Sequence, residues 1–181
     1  VPLWKRPYLF IKRPRDRFKR ETMATNRAPK NSRTTQCACG SERMYANCCE
    51  FHHLKGEAPT DPVDLIRARY SAFAYRMPGY LMRTTDAQGP EFNRDAFKWE
   101  QELLKFSDQY KFKRLSGDVL GIEFQECTYS GPDVAYVQFR AYMLGPGQTP
   151  VEILERSKLT RYQGKWLYST GTLVEWDGPL M

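Results

Sequence analysis

Four of the five cysteines in this chain fall within the segment CACGSERMYANCC, from Cys37 to Cys49. No other feature of the sequence limits the fold as tightly. The pairs Cys37-x-Cys39 and Cys48-Cys49 are separated by eight residues, a loop short enough to gather their thiolates around one tetrahedral ion. A disulfide between the vicinal Cys48 and Cys49 would be strained, whereas both can ligate one metal if the backbone turns between them. A four-cysteine set leaves no open coordination position, so the expected metal is structural Zn2+ and catalysis at it is not expected. The clustering also differs from the dispersed framework of a secreted disulfide domain and points to a reducing compartment. His52 and His53 lie close enough to compete as ligands, but a surface position or a place behind the ligands is expected of them. Cys127 stands alone in a strand pattern and is expected to be a buried, inert thiol.

Charge divides the chain. The net charge of the whole is +7, with a pI near 9.2. Residues 1–36 hold 11 of the 28 Lys+Arg and only Asp16 and Glu21 as acids, a net +9. Residues 37–181 keep 17 bases and 19 acids, a net −2. The first segment carries Pro2, Pro7, Pro14 and Pro29 and no sustained period, so it reads as a basic extension without a core of its own. Its aromatic residues, among them Phe10 and Phe18, are set among the bases, a combination suited to phosphate contacts and stacking on unpaired bases. The docking candidates are Trp4, Lys5, Arg6, Tyr8, Lys12, Arg13, Arg15, Arg17, Lys19 and Arg20. Arg-rich, acid-poor sequence opening on Val1 also reads as the remainder of an organelle-targeted precursor, which gives an organelle matrix or stroma as the expected location, mitochondrion ahead of chloroplast. No stretch approaches the roughly 18 uninterrupted apolar residues of a membrane span, so a soluble chain is expected.

The remainder reads as one folding unit. Residues 37–60 form the cysteine knuckle and a linker with Gly56 and Pro59, residues 61–175 form the main domain, and residues 176–181 are a tail. Asp61 as cap, Pro62 at the first helical position and apolar residues at helical spacing predict a helix that Pro78-Gly79 ends. A longer amphipathic helix is expected over about 92–112, with Phe97, Leu103, Leu104, Phe106 and Tyr110 as its buried side. From there the pattern changes to β-branched and aromatic alternation in 119–129, 134–144, 150–161 and 165–173, broken by turn residues such as Gly145-Pro146-Gly147 and Gln163-Gly164. Helices first and an antiparallel sheet after them is an α+β order, with the helices packed on one face of a curved sheet and a core separate from the knuckle.

The cysteine segment resembles the SEC-C knuckle, a short zinc motif, through Cys37, Cys39, Ser41, Tyr45, Cys48 and Cys49; Glu42 stands where that motif usually has glycine. The stretches DLIRARYSAFAYRMPGYLMRT (64–84), VAYVQFRAYM (134–143) and ILERSKLTRYQGKWLYSTGT (153–172) resemble the bacterial YchJ-type proteins. That resemblance covers about residues 36–173 and implies a cone of helices on a curved antiparallel sheet, similar to the nuclear transport factor two (NTF2) fold. It also implies that Arg67, Arg69, Tyr70, Glu155, Arg156, Trp166 and Tyr168 are candidates to line a pocket in the cone, although ion pairing and core packing account for them equally well. No histidine is available outside His52 and His53, so no acid and histidine pair is expected there and no reaction is assigned. The leading expectation is a non-catalytic zinc-binding accessory subunit of a large protein or ribonucleoprotein complex, an organellar ribosome in particular, docked by its basic extension with RNA as the contact. A protein-binding assembly or targeting factor that uses the knuckle is the second. A small-ligand binder or enzyme of the cone pocket is the third.

Overall fold

A computed structural model of the chain describes residues 26–56, 58–112 and 121–174. A 3-10 turn, Tyr45–Asn47, leads into a short helix α1 (Glu50–Leu54), followed by α2 (Pro62–Ala74), α3 (Pro78–Arg83) and α4 (Ala96–Gln109). Four strands follow, β1 (Gly121–Tyr129), β2 (Val134–Leu144), β3 (Pro150–Tyr162) and β4 (Lys165–Leu173), in one antiparallel sheet of order β1-β2-β3-β4. The fold is the expected α+β one, with helices against a curved sheet and the cysteine cluster in front of them.

Local chemistry sets most of the boundaries. The Asp61 side chain accepts from the Val63 amide at 2.7 Å and Pro62 occupies the first turn, so α2 starts where the sequence places it. Its end is different. The helix stops at Ala74 because the chain turns left-handed at Arg76 (φ 52°), and Pro78 opens α3 instead of terminating α2. Proline lacks an amide hydrogen, which costs nothing in a first turn. Asp95 caps α4 through the Lys98 amide at 3.0 Å. On α4 the burial runs through Trp99, Leu103 and Phe106, a seven-residue stripe, which leaves the expected core residue Phe97 74% exposed on the far side. In the sheet, Gln163 (φ 49°) and Gly164 (φ 76°) are both left-handed, the pair a two-residue β-hairpin requires to follow strand twist.

The core does not stop at the linker. Cys37, Cys39, Tyr45 and Cys49 belong to the same buried apolar cluster as Leu65, Val137, Leu159 and Trp166, which corrects the expectation that the main domain keeps a core separate from the knuckle. Cys127 is half-buried on β1, not fully enclosed, and burial raises its pKa. Part of the basic segment is also folded in. The Arg27 amide donates to the Tyr75 carbonyl at 2.8 Å, and its guanidinium reaches Asp108 at 2.7 Å, the same carboxylate that Arg76 grips. Among the described residues, no helix is long and apolar enough to cross a membrane.

Candidate metal centre and cone cavity

The sulfurs of Cys37, Cys39, Cys48 and Cys49 all lie within 4.8 Å of one another and all four residues are buried. Cys39 and Cys48 are 3.5 Å apart at sulfur, and Cys48 and Cys49 3.7 Å. Thiolates bound at about 2.3 Å around a tetrahedral zinc stand ~3.8 Å apart, so this donor set fits such an ion. The Ser41 hydroxyl lies 3.3 Å from the Cys39 sulfur and 3.2 Å from that of Cys48, behind the ligand shell. Hydrogen bonding with Cys37 pulls the Cys39 thiol far below its ordinary value and Cys48 down to about 6. The same network, led by Cys39 for Cys37 and by Cys37 for Cys49, pushes those two thiols up. Four thiols this close hold anionic charge only with strain, and a divalent cation would remove that conflict.

The loop earns this geometry through its backbone. Gly40 (φ 80°) and Glu42 (φ 63°) are both left-handed, so the motif's usual glycine is conformationally meaningful here and Glu42 occupies a position that disfavours a side chain. The Cys37 amide donates to the Arg43 carbonyl at 2.8 Å, closing the turn.

His53 is not among the close ligands. It is 5% exposed, and Nε2 donates to the Ala68 carbonyl at 2.8 Å, since a carbonyl can only accept. Nδ1 is then the acceptor for the Tyr45 hydroxyl, also at 2.8 Å. His53 thus joins the knuckle's tyrosine to the middle of α2. Burial holds its pKa down at about 4, so the ring is neutral at neutral pH. Its position went unread in the sequence, since a His beside a cysteine cluster carries no signal for a contact 15 residues downstream.

Between α2, α4 and the sheet lies a cavity of about 80 Å³. Of the candidates, Arg69, Tyr70, Glu155 and Tyr168 line it. Arg67, Arg156 and Trp166 do not. Arg67 lies over the Phe124 ring at 4.7 Å, nearly opposite Arg69 around the helix. Arg156 follows Glu155 on a strand, faces the other way, and sits exposed over Tyr136 at 4.8 Å. Trp166 is buried and its indole N–H donates to the Thr60 carbonyl at 3.1 Å, pinning the linker. Ser157 was missed, although its spacing of two from Glu155 in a strand puts it on the same face. The Phe73, Phe106 and Phe112 rings supply much of the apolar wall.

The polar end of the cavity is a connected set. Glu155 Oε1 accepts from Ser157 at 2.7 Å and from the Tyr168 hydroxyl at 3.1 Å. Arg69 stacks over the Tyr168 ring at 4.3 Å, while its Nη1 donates to the Leu81 carbonyl and Thr84 Oγ1, both at 2.8 Å. Burial pushes the Glu155 carboxyl up from its ordinary value. Gly171 makes room for the pair, since a Cβ there would collide with the Glu155 carboxyl and the Tyr168 hydroxyl. The docking candidates Trp4, Lys5, Arg6, Tyr8, Lys12, Arg13, Arg15, Arg17, Lys19 and Arg20 lie outside the described residues.

Comparison with known proteins gives a coherent set. A family model described as the YchJ middle NTF2-like domain matches residues 61–171. A UPF0225 protein of Deinococcus radiodurans is 32% identical over 136 residues, 73% of this chain and 85% of that protein. The UPF0225 protein YchJ of Shigella dysenteriae is 29% identical over 137 residues, covering 75% of this chain and 82% of its own length. The solution structure of a SEC-C motif containing protein from Rhodopseudomonas palustris superposes with a TM-score of 0.62 at 27% identity, over 78% of this chain and 100% of that one. A SEC-C motif containing protein from Psychrobacter arcticus, 20% identical, shares the fold with a TM-score of 0.58 over 81% of this chain and 87% of its own.

Proposed function

Because the chain belongs to the YchJ family, we propose that it is a non-catalytic binding protein whose SEC-C knuckle carries one structural zinc ion. The observation that carries this is the buried set of four sulfurs within 4.8 Å of one another. Zinc is preferred to other metals because a closed all-thiolate tetrahedron suits it, and with every ligand supplied by protein the ion organises the loop without activating a substrate. Elemental analysis of reduced, purified protein tests it: about one zinc per chain is expected, and its absence refutes the reading.

The basic segment gives the protein a means of docking. With a net +9 over residues 1–36 against −2 for the rest, it would bind phosphate-rich or acidic surfaces, and the finer reading is an accessory subunit of a ribonucleoprotein assembly, an organellar ribosome among them. Support for that reading is the charge division and the interleaved aromatic residues. Co-sedimentation of the full chain and of a form lacking residues 1–25 with organellar extracts, with and without ribonuclease, is the test. Loss of co-sedimentation on deletion and on ribonuclease treatment is expected; equal co-sedimentation of the shortened form rejects docking by this segment.

A further inference from the structure

The Arg69 side chain combines deep burial with an unused face. The residue is 7% exposed, and every protein acceptor it meets, Leu81 O, Thr84 Oγ1 and Thr85 Oγ1, is reached by Nη1. Among the described residues, the hydrogen bonds of the guanidinium all run from Nη1, none from Nε or Nη2, and no carboxylate forms an ion pair with it. These two nitrogens form one edge of the planar group, with parallel N–H bonds matched to the two oxygens of a carboxylate. The accessible space beside Arg69 is the cone cavity, which beyond the polar end of Glu155, Ser157 and Tyr168 has an apolar wall with Phe73, Phe106, Phe139 and Met143 in it.

We infer that the cone cavity is a binding site for a small apolar monocarboxylate, its head held side-on by Nε and Nη2 of Arg69 and its body packed between the aromatic wall and the sheet. Arg69 is fixed for this task from both sides, by the Nη1 bonds to the end of α3 and by the Tyr168 ring at 4.3 Å. Glu155 attracts Arg69 at longer range but makes no ion pair with it, its Oε1 accepting from Ser157 and Tyr168. Burial raises the pKa of this carboxyl. Glu91 Oε1 accepts from Thr170 at 3.1 Å, and its charge also acts on Arg69. A cavity of about 80 Å³, roughly half the ~150 Å³ that holds a benzene ring, restricts the body to a short aliphatic chain. The site uses none of the cysteine residues, so with the metal bound its test is separate from that of the metal.

The test uses the metal-loaded full chain. Propionate and butyrate, with propionamide and butyramide as neutral controls, are titrated by calorimetry and by the Nε–Hε resonance of Arg69. At least one carboxylate is expected to bind with a Kd below about 1 mM and to move that resonance, with its carboxamide about tenfold weaker or worse. Arg69→Lys keeps the charge and loses the fork, and should weaken carboxylate binding by about tenfold or more. Ala141→Leu fills the cavity and should abolish binding with the guanidinium intact. Equal binding of acid and amide by the wild-type chain would overturn the proposal without any variant. So would binding of none of the probes, or unchanged binding in a folded Ala141→Leu protein.

Discussion

A Cβ built on Gly121 would lie 2.8 Å from the Cα of Gly40, so the start of β1 and the knuckle loop meet backbone to backbone. The Ile122 amide donates to the Cys39 carbonyl at 3.2 Å across the same contact. One metal ligand is thereby tied to the first strand of the sheet. Gly121→Ala would force the two backbones apart and place a side chain at φ 141°, which should lower stability by about 1–3 kcal/mol. Urea unfolding of the metal-loaded protein measures the loss, and competition with a chelator should show faster metal release from the variant.

Because the knuckle cysteines belong to the same buried cluster as the sheet, metal removal should destabilise the entire domain. Chelation, or Cys48→Ser, is expected to reduce stability by about 4 kcal/mol in a single cooperative transition. Calorimetry together with amide exchange in β2 and β3 checks this. Two separate melting transitions, with the strands fully protected after the metal has gone, would show that the knuckle folds as an appendage.

The His53 bonds make a pH prediction. Its pKa in the folded protein, about 4, lies below the ordinary value of 6.5. Stability from the neutral ring is therefore complete above about pH 6.5 and is lost as pH falls towards 4, by at most about 3 kcal/mol. Protonation would put a hydrogen on Nδ1, where the Tyr45 hydroxyl now donates. His53→Gln should be less stable at neutral pH and should lack this part of the acid loss. Parallel urea titrations from pH 7.5 to 4.5 distinguish it from thiolate protonation, which both proteins share.

Glu42 holds a left-handed conformation at φ 63° and is exposed. Relief of the strain in Glu42→Gly outweighs the extra flexibility of an unfolded glycine, so the variant should gain about 0.5–1 kcal/mol. Thermal unfolding should show a rise in Tm with metal content unchanged. A fall would mean that the Glu42 side chain contributes an interaction worth more than its backbone cost.

The sequence determined those features that depend on residues close together in the chain. The pairing of Cys37 and Cys39 with Cys48 and Cys49 encodes a ligand set because one short loop carries it. Alternation and turn chemistry located β2 and β4 at the residues expected, and the Asp61-Pro62 pair began α2. Only the tertiary structure decided what depends on rotation and long-range approach. Trp99, not Phe97, faces the core because the position of a helix on the sheet selects its buried stripe, and both aromatic residues suit a helical pattern equally. Arg69 and Glu155, 86 positions apart, come to one cavity, while Arg67 and Arg156, one or two residues away, lie outside its lining, over the Phe124 and Tyr136 rings. The same is true of His53 with Ala68 and of Gly121 with Gly40: each contact exists because the knuckle and the sheet share one core, and that sharing is a property of the packed chain and not of any segment of it.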